Sequence, residues 1–383
     1  MIYGMIERDY YTQIAYNALQ NFPACALLGP RQCGKTTLAL SLKKYFSKVH
    51  HFDLEDHLDF EQFDSPKILL EGLKGLIIID EIQRKPEIFP YLRVLLDRKK
   101  HIKLLLLGSA SRELLWRSSE TLAGRIQYIS LTPFRLGEVD DIAKLWRRGG
   151  FPRSYLAASD SVSDAWRKLY ITTFLEKDLL AFESSFSPQT MRKLWMMLAH
   201  YHGNVLNYAE LGRALAITDK KIRMQIDLLA SAFMIRTLQP WYANIKKRQI
   251  KSPKLYIRDS GLLHTLLGLS GDAIHRHPKV GASWEGFALE QVLFAQQIDD
   301  LDCYYWRTHD GAELDLLVAK GGEYRVGYEF KYTDVPKLTA SMRIAISDLS
   351  LSALKVIVPG EVNFFLHEKV EVIGLKKFSQ QKS

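Results

Sequence analysis

Residues 29–37 have the residue types and the spacing that a phosphate-binding loop requires. They read GPRQCGKTT and fit the pattern G-x-x-x-x-G-K-[ST], in which backbone N–H groups surround phosphates, the lysine neutralises charge and the hydroxyl binds Mg²⁺. The pattern therefore predicts ATP and Mg²⁺ as ligands and gives Lys35 a catalytic role at the outer phosphates. The predicted nucleotide-binding residues of the loop are Gly29, Pro30, Arg31, Gln32, Cys33, Gly34, Lys35, Thr36 and Thr37.

Two adjacent acids, Asp80 and Glu81, follow the continuous apolar run of residues 75–79. Such a run is typical of a parallel strand that is covered on both faces and presents functional groups at its carboxyl end. We expect Asp80, together with Thr36, to hold Mg²⁺, and Glu81 to polarise the attacking water as general base. Acids after a buried strand also cap the next element in many proteins. The phosphate-binding loop upstream favours the catalytic interpretation.

Two further polar residues adjoin predicted strands. Ser109 follows the apolar residues 104–107 and is placed to sense the terminal phosphate or the attacking water, although simple turn chemistry explains it almost equally well. Arg125 precedes the strand predicted at residues 126–130 and would reach a γ-phosphate in its own or a neighbouring subunit. A lone arginine is more often part of a surface ion pair. Both residues remain candidates for nucleotide binding.

A second group of acids and a lysine lies towards the C-terminus. Glu285 is on a predicted helix, Asp315 is on a strand of a predicted hairpin, and Glu329 and Lys331 share one face of the next strand. These four residues resemble the helix-acid, D and E-x-K constellation of restriction-endonuclease-like PD-(D/E)xK folds. The resemblance implies that Glu285, Asp315 and Glu329 bind Mg²⁺ and that Lys331 orients or activates the water that attacks phosphate, as a catalytic residue.

The nuclease interpretation has a structural alternative. An acid-x-lysine pattern on a strand is commonly a cross-strand ion pair, and Leu314 stands where such nucleases often have proline. Glu313 is predicted on the same face as Asp315 and is a candidate helper. DNA cleavage is therefore one expectation for this domain, and a nuclease-like domain without activity is the other.

Basic residues are concentrated in one segment. The formal net charge is +9, and residues 220–258 contain ten Lys and Arg against one acid, so this segment alone carries +9. That concentration indicates an anionic partner. Three predicted helices followed by a strand pair look like a winged helix-turn-helix, which contacts DNA through its third helix and wing; protein–protein adaptors use the same fold. The predicted DNA-contacting residues are Lys220, Lys221, Arg223, Lys246, Lys247 and Arg248.

Strands alternating with helices predict an α/β fold, and 383 residues suggest two or three domains. We expect a P-loop AAA-type core with a parallel sheet at residues 1–135 and a helical connector or lid at 136–186. A winged helix-turn-helix at 187–268 and a small α/β restriction-endonuclease-like domain at 280–376 complete the predicted order.

Local signals predict several helix ends. Pro66 after a serine predicts a helix over 64–73 with Ser65 as its cap. Two helical stretches are expected around 163–171 and 172–182. A further helix is predicted from Asn207, where an acid three residues later completes a capping box.

The bulk composition is that of an ordinary globular protein, with 47% hydrophobic and 25% charged residues. The N-terminus lacks a basic region followed by an apolar run, and no run approaches a membrane span, so we expect a cytoplasmic protein without a membrane partner. Cys25, Cys33 and Cys303 make neither a disulfide framework nor a zinc pair. Oxidation of Cys33 would block the phosphate loop, but a tolerated loop residue is the commoner case.

Several stretches together resemble one family: GPRQCGKTT, IIIDE, LLLLGSA, LAGRIQYISLTPF and GGFPRSYL. They are similar to the bacterial and archaeal AAA-type P-loop ATPases (AAA_14-like) that carry a C-terminal domain of uncharacterised function, DUF4143. The resemblance covers essentially the whole chain. It implies a core sheet in which the strand before Ser109 lies between the loop strand and the acid strand, and it implies the roles given above to the loop and the acid pair.

The leading hypothesis is an ATPase that hydrolyses ATP with Mg²⁺ and couples hydrolysis to the engagement of DNA. A stronger version of this hypothesis adds cleavage of the DNA by the C-terminal domain. The alternative is a nucleotide-gated switch or adaptor with little turnover, whose inactive nuclease-like domain binds a protein partner. A homo-oligomer is a further expectation, in which Arg125 would act on the nucleotide of its own or of a neighbouring copy.

Overall fold

The computed structural model of the chain describes residues 6–109, 122–179, 186–241, 252–321 and 324–381. The chain divides into two compact units, Met1–Pro133 with Ser231–Met234, and Phe134–Ala230 with Ile235–Ser383. The predicted DNA-contacting residues Lys246, Lys247 and Arg248 lie outside the described residues. Among the described helices, none combines the length and the apolar content that crossing a membrane requires.

The first unit is built on a five-stranded parallel sheet with the strand order β2-β3-β4-β1-β5. Its strands are β1 (Ala24–Leu28), β2 (Val49–Asp53), β3 (Gly75–Asp80), β4 (Ile102–Gly108) and β5 (Ile126–Ser130). The order confirms the predicted parallel core and places β4, which leads into Ser109, between the loop strand β1 and the acid strand β3.

Helices flank this sheet. They are α1 (Asp9–Asn21), α2 (Lys35–Ser41), α3 (His57–Gln62), α4 (Pro66–Leu70) and α5 (Phe89–Arg98), with 3₁₀ turns at Leu42–Tyr45, Ile82–Arg84 and Pro86–Ile88. All five residues of β1 are buried, and β3 and β4 are buried over most of their length, which explains their continuous apolar sequences. Leu92 and Leu96 of α5 belong to the same buried core as Ile77 and Leu104 of the sheet.

The chain between β2 and β3 differs from the prediction. The helix predicted over 64–73 is the shorter α4, which begins at Pro66 as expected, but the Ser65 side chain accepts no capping hydrogen bond. A further helix, α3, precedes it and was not predicted. Asp56 is the cap that forms, because its carboxylate accepts from two backbone N–H groups at the start of α3. Phe63, only 2% exposed, turns into the core between the two helices and so separates them.

The second unit is built on a nine-stranded mixed sheet with the order β13-β14-β12-β11-β10-β9-β7-β8-β6. Its strands are β6 (Asn204–Val205), β7 (Ile235–Pro240), β8 (Lys254–Ile257), β9 (Cys303–Arg307), β10 (Glu313–Lys320), β11 (Tyr324–Phe330), β12 (Ala353–Val358), β13 (Asn363–His367) and β14 (Val370–Gly374). Parallel pairing of β7 with β9 makes one continuous sheet from the segments predicted as a winged helix-turn-helix and as a nuclease-like domain.

Helices cover this second sheet as well. They are α6 (Ile142–Arg148), α7 (Pro152–Tyr155), α8 (Asp160–Thr173), α9 (Pro188–Tyr201), α10 (Tyr208–Leu215), α11 (Asp219–Ser231), α12 (Ser260–Leu266), α13 (Val280–Ala295), α14 (Ala340–Asp348) and α15 (Leu375–Gln380). The stretch predicted around 163–171 lies within α8, which continues without a break into a π-helical turn at Phe174–Asp178, where a second stretch was predicted over 172–182. Residues 180–182 lie outside the described residues. The predicted cap at Asn207 is confirmed, since its side chain accepts from the Glu210 N–H at 3.2 Å.

Candidate functional site

The phosphate-binding loop connects β1 to α2, and two of its glycines are required by geometry. A Cβ at Gly29 would lie 2.1 Å from the backbone oxygen of Leu131, so no side chain fits there. Gly34 has a φ of 101°, in the left-handed region that favours glycine. Gly29 therefore lets the loop backbone approach the chain that follows β5, and Gly34 lets the loop turn into α2. A loop whose N–H groups bind phosphate requires such a path of the backbone.

Lys35 is buried at the start of α2, with 5% of its surface exposed. Its Nζ donates to the backbone oxygens of Gly29 and Pro30 at 3.0 and 3.1 Å and to Ser109 Oγ at 3.4 Å. These three partners are neutral. None of these partners is an anion that pairs with the lysine, which fits the binding of a phosphate group.

The predicted magnesium ligands are in contact. Thr36 Oγ1 donates to Asp80 Oδ2 at 2.5 Å, and the other oxygen of Asp80 accepts from the Glu81 N–H at 2.9 Å. Burial is the main cause that raises the pKa of Asp80 above its ordinary value. A hydroxyl and a carboxylate side by side are the hard oxygen ligands that Mg²⁺ prefers, so this pair fits the ion.

Ser109 forms hydrogen bonds with both Lys35 and Glu81. Its Oγ lies 2.9 and 3.1 Å from the carboxylate oxygens of Glu81 and also accepts from Lys35 Nζ. Glu81 has a φ of +50°, an uncommon conformation for a residue with a side chain, and accepts a further hydrogen bond from Gln83. Gln83 was not among the predicted site residues. Its position two residues after the acid pair is the only signal that it offered.

Three further residues considered at the nucleotide site, Arg125, Arg31 and Cys33, are either paired or buried within the first unit. Arg125 donates to both carboxylate oxygens of Asp97, at 2.7 and 3.1 Å, which is the ion pair considered as the alternative to phosphate contact. Arg31 pairs with Glu55. Cys33 is fully buried, and burial raises the pKa of its thiol, so the thiolate form that reacts with oxidants is disfavoured. That position favours the interpretation of Cys33 as a tolerated loop residue.

The structure brings the C-terminal acids together around a lysine that was not predicted to be there. Lys254, on β8, lies with its Nζ 2.7 Å from Glu285 Oε1, 2.7 Å from Glu313 Oε1 and 3.3 Å from Asp315 Oδ1. Its side chain is 3% exposed. Tyr256, two residues further on the same strand, donates to Glu285 at 2.6 Å. Alternation along β8 would have placed Lys254 and Tyr256 on one face, but nothing local indicates which acids they meet.

The other end of this carboxylate cluster holds the predicted E-x-K pair. Lys331 Nζ lies 2.6 Å from Glu329 Oε2 and 3.8 Å from Asp315 Oδ2, and 38% of the Lys331 side chain is exposed. Burial, and then the neighbouring Asp315, raise the pKa of Glu329 to about 8. Burial alone would raise the pKa of Asp315 too, but Lys254 and Lys331 hold that pKa below its ordinary value.

A divalent cation does not fit among the predicted ligands Glu285, Asp315 and Glu329. The ammonium of Lys254 already lies against Glu285 and Asp315, and that of Lys331 lies against Glu329. Correspondingly, the described residues contain no group of three or more His, Cys, Asp or Glu side chains arranged to hold a metal ion.

The basic segment divides into exposed and internal charges. Lys220, Lys221 and Arg223 are exposed at the start of α11. Arg236 and Arg258 form ion pairs with the buried Glu290, in addition to the internal pairs of Lys254. Three of the ten basic residues therefore neutralise acids of the protein itself, and the charge count overstates what this segment offers to an external anion.

Three family models match successive parts of the chain. Residues 21–140 match the AAA domain, residues 139–273 match a domain of unknown function (DUF8612), and residues 280–378 match another (DUF4143). The Uncharacterized protein Rv2008c of Mycobacterium tuberculosis is 46% identical over 373 residues, which are 96% of this chain and 84% of that protein. The Uncharacterized protein Mb2031c of Mycobacterium bovis matches with the same values.

Solved structures resemble the chain more remotely. The Walker-type ATPase paby2304 of Pyrococcus abyssi has a TM-score of 0.48 at 14% identity, covering 68% of this chain and 96% of its own. A chain of the Drosophila ORC structure bound to AT-rich DNA and Cdc6 has a TM-score of 0.23 at 15% identity, covering 68% and 90%. The family assignment therefore rests on the domain matches and on the mycobacterial relatives.

Proposed function

We propose that this chain, a P-loop ATPase that belongs to the family of AAA-domain proteins with a C-terminal domain of unknown function (DUF4143), couples its nucleotide state to the engagement of DNA. One observation supports the part of this proposal that concerns ATP hydrolysis. The phosphate lysine and the candidate general base are bridged by one hydroxyl, because Ser109 contacts both Lys35 and Glu81.

Each residue of the site has a separate task in this proposal. Lys35 neutralises the outer phosphates, and Thr36 with Asp80 would hold Mg²⁺, which supplies charge stabilisation at the phosphates when it is bound. Glu81 accepts the proton of the attacking water as general base. Ser109 is a positioning residue, because its hydrogen bond fixes the carboxylate of Glu81.

Variants of these residues separate binding from turnover. Lys35→Ala is expected to lose ATP affinity together with hydrolysis. Glu81→Gln should keep ATP affinity and lower kcat about 10²- to 10⁴-fold, the usual contribution of a general base. Affinity is measured by calorimetry with ATP and Mg²⁺, and turnover by phosphate release. Turnover in Lys35→Ala or Glu81→Gln equal to that of the unmodified chain would refute the assigned site.

The DNA half of the proposal is supported by the order of elements in the second unit. Helix α9, strand β6, helices α10 and α11 and strands β7 and β8 follow one another, and β6 and β7 both pair antiparallel with β8. This is the order of a winged helix-turn-helix, in which the third helix enters the major groove. That helix is α11, whose first turns expose Lys220, Lys221 and Arg223, while Ile222 and Ile226 face the core.

A salt titration of DNA binding tests the proposed contact between α11 and DNA. Phosphate binding makes the logarithm of the binding constant fall with the logarithm of the salt concentration, by about 0.9 per neutralised phosphate. Replacing Lys220, Lys221 and Arg223 by glutamine should therefore flatten the slope by up to about 3. The matched control replaces two lysines and one arginine that are exposed on the first unit, namely Lys43, Lys44 and Arg98. Equal slopes for the two triple variants would contradict the proposed interface.

The second candidate function is a nucleotide-gated adaptor without DNA cleavage. It is favoured by the position of Lys254, because a buried ammonium already lies between two of the acids that would hold a metal in the nuclease-like domain. Coupling is tested by measuring DNA affinity of the Glu81→Gln variant with ATP and with ADP. A difference between the two nucleotides supports coupling to DNA. Equal affinities would leave a protein as the partner that the nucleotide state controls.

A further inference from the structure

The carboxylate cluster of the second unit, formed by Glu285, Glu313 and Asp315, converges on a single buried ammonium. The three acids come from two elements, α13 and β10, and Lys254 reaches them from β8, which belongs to the segment predicted as the wing. An ammonium group has three hydrogen-bond donors and no acceptor. Lys254 therefore has one donor for each of the three carboxylates.

This arrangement holds the lysine firmly. With 3% of its side chain exposed, Lys254 would have to leave three anionic partners before another cation took its place. Removing one member of a buried ion pair costs far more than losing a surface pair, because the remaining charge stays out of water without compensation. A divalent ion entering the cluster would meet a fixed positive charge instead of an open set of oxygens.

We propose that Lys254 is the resident cation of this cluster, so that its ammonium takes the place that a divalent metal has in nucleases with a similar arrangement of acids. The chain consequently takes up no divalent ion there, and the domain has a structural and binding role. Removing the ammonium leaves carboxylates without a counter-cation in a site that accepts a hard metal ion such as Mn²⁺. The inference depends on neither ATP hydrolysis nor DNA binding.

Lys331 provides a matched control within the same cluster. It is also a lysine beside Asp315, but its closest partner is Glu329, and it lies 3.8 Å from Asp315 instead of among three acids. Lys254→Met and Lys331→Met remove the same charge from the same domain. Only the first removes the ammonium that Glu285, Glu313 and Asp315 share.

The experiment measures Mn²⁺ binding to the full chain by the loss of the free-ion electron paramagnetic resonance signal, without nucleotide. All proteins carry Asp80→Asn, which removes a carboxylate of the nucleotide site. Lys254→Met is expected to bind one Mn²⁺ at least about tenfold more tightly than the background protein or Lys331→Met. Adding Asp315→Asn to Lys254→Met should abolish that binding.

Either of two Mn²⁺-binding results would overturn the inference. One is that the background protein already binds a Mn²⁺ ion that Asp315→Asn removes. The other is that Lys254→Met, folded by circular dichroism, gains no Mn²⁺ site. If Lys254→Met does not fold, Lys254→Met with Glu313→Gln, which has one negative charge fewer, is tested in the same way. Its unfolding temperature should rise with Mn²⁺, and an unchanged temperature also counts against the proposal.

Discussion

Glu290 is the anion of a buried cluster that contains three arginines. Its Oε1 accepts from Arg236 Nε at 2.6 Å, and its Oε2 accepts from Arg135 Nη2 at 3.2 Å and from Arg258 Nη2 at 3.3 Å. The Glu290 side chain is 2% exposed. Burial alone would raise the pKa of this carboxyl, but the three guanidinium groups hold the pKa far below its ordinary value. The cluster ties α13 to β7 and to two loops of the second unit.

Glu290→Gln keeps the shape of the side chain and removes its charge. Three guanidinium groups then surround a neutral amide, and water cannot replace the lost charge because the site is closed. Removing one partner of a buried ion pair costs about 3–5 kcal/mol of unfolding free energy. An attraction of about 4 kcal/mol between unit charges 4 Å apart, at an effective dielectric constant of 20, has the same size. We therefore expect a loss of about 3–5 kcal/mol.

Urea unfolding followed by tryptophan fluorescence measures this loss. With a slope of about 3 kcal/mol per molar urea, the midpoint of the second unit should fall by more than about 1 M. The control is Glu361→Gln, whose carboxylate pairs with Lys376 at 3.2 Å but is 74% exposed, so its removal should cost at most about 1 kcal/mol. A Glu290→Gln midpoint no lower than that of the control would refute the reasoning.

The pH dependence gives an independent check of the same prediction. A carboxyl whose pKa is lowered in the folded state contributes its full stability above the unfolded pKa of about 4.3, and that contribution is lost as the pH falls through the folded pKa. The difference between Glu290→Gln and the unmodified chain should therefore be the same at pH 6 and pH 8. A difference that grows across this range would assign the effect to another group.

Three further predictions follow from single residues. Burial lowers the pKa of His202 from 6.5 to about 3 and that of His264 to about 4, so the second unit should lose about 1.4 kcal/mol per histidine for each pH unit below 6.5, measured by urea unfolding between pH 7 and 5. Gly29→Ala places a Cβ 2.1 Å from the Leu131 oxygen and should lower ATP affinity at least about tenfold by calorimetry. Cys33 should react with a maleimide at pH 7.4 only after denaturation, because burial raises its thiol pKa.

The parallel core and its nucleotide site were predictable because their signals are local. The apolar run 75–79 identifies a strand covered on both faces, and the acids after it lie at the carboxyl edge of the sheet. Ser109 follows the neighbouring strand in the sheet, so the same rule brings it to Glu81. Adjacent parallel strands end at one edge, and this geometry needs no knowledge of side-chain packing.

Helix boundaries were less predictable, for a reason that Ser65 illustrates. Serine before proline correctly marks the start of α4, but Ser65 makes no capping hydrogen bond, and Asp56 nine residues earlier caps an additional helix, α3, that was not predicted. Where α3 ends and α4 begins depends on Phe63, whose burial in the core separates the two helices. That choice is made by tertiary packing, which the local sequence does not contain.

The partners of the charged residues also depend on tertiary packing, and here the error in prediction affects the functional interpretation. Lys254 contributed to a count that indicated an anionic partner, yet its partners are acids 59 and 61 residues away in the sequence, Glu313 and Asp315. A count of charges assumes that each one faces water, and a strand sequence does not say which face is buried. Because Lys254 is buried among these acids and does not face water, two expectations change together. The basic segment has less charge for DNA, and the acids that resembled a metal site already have their cation.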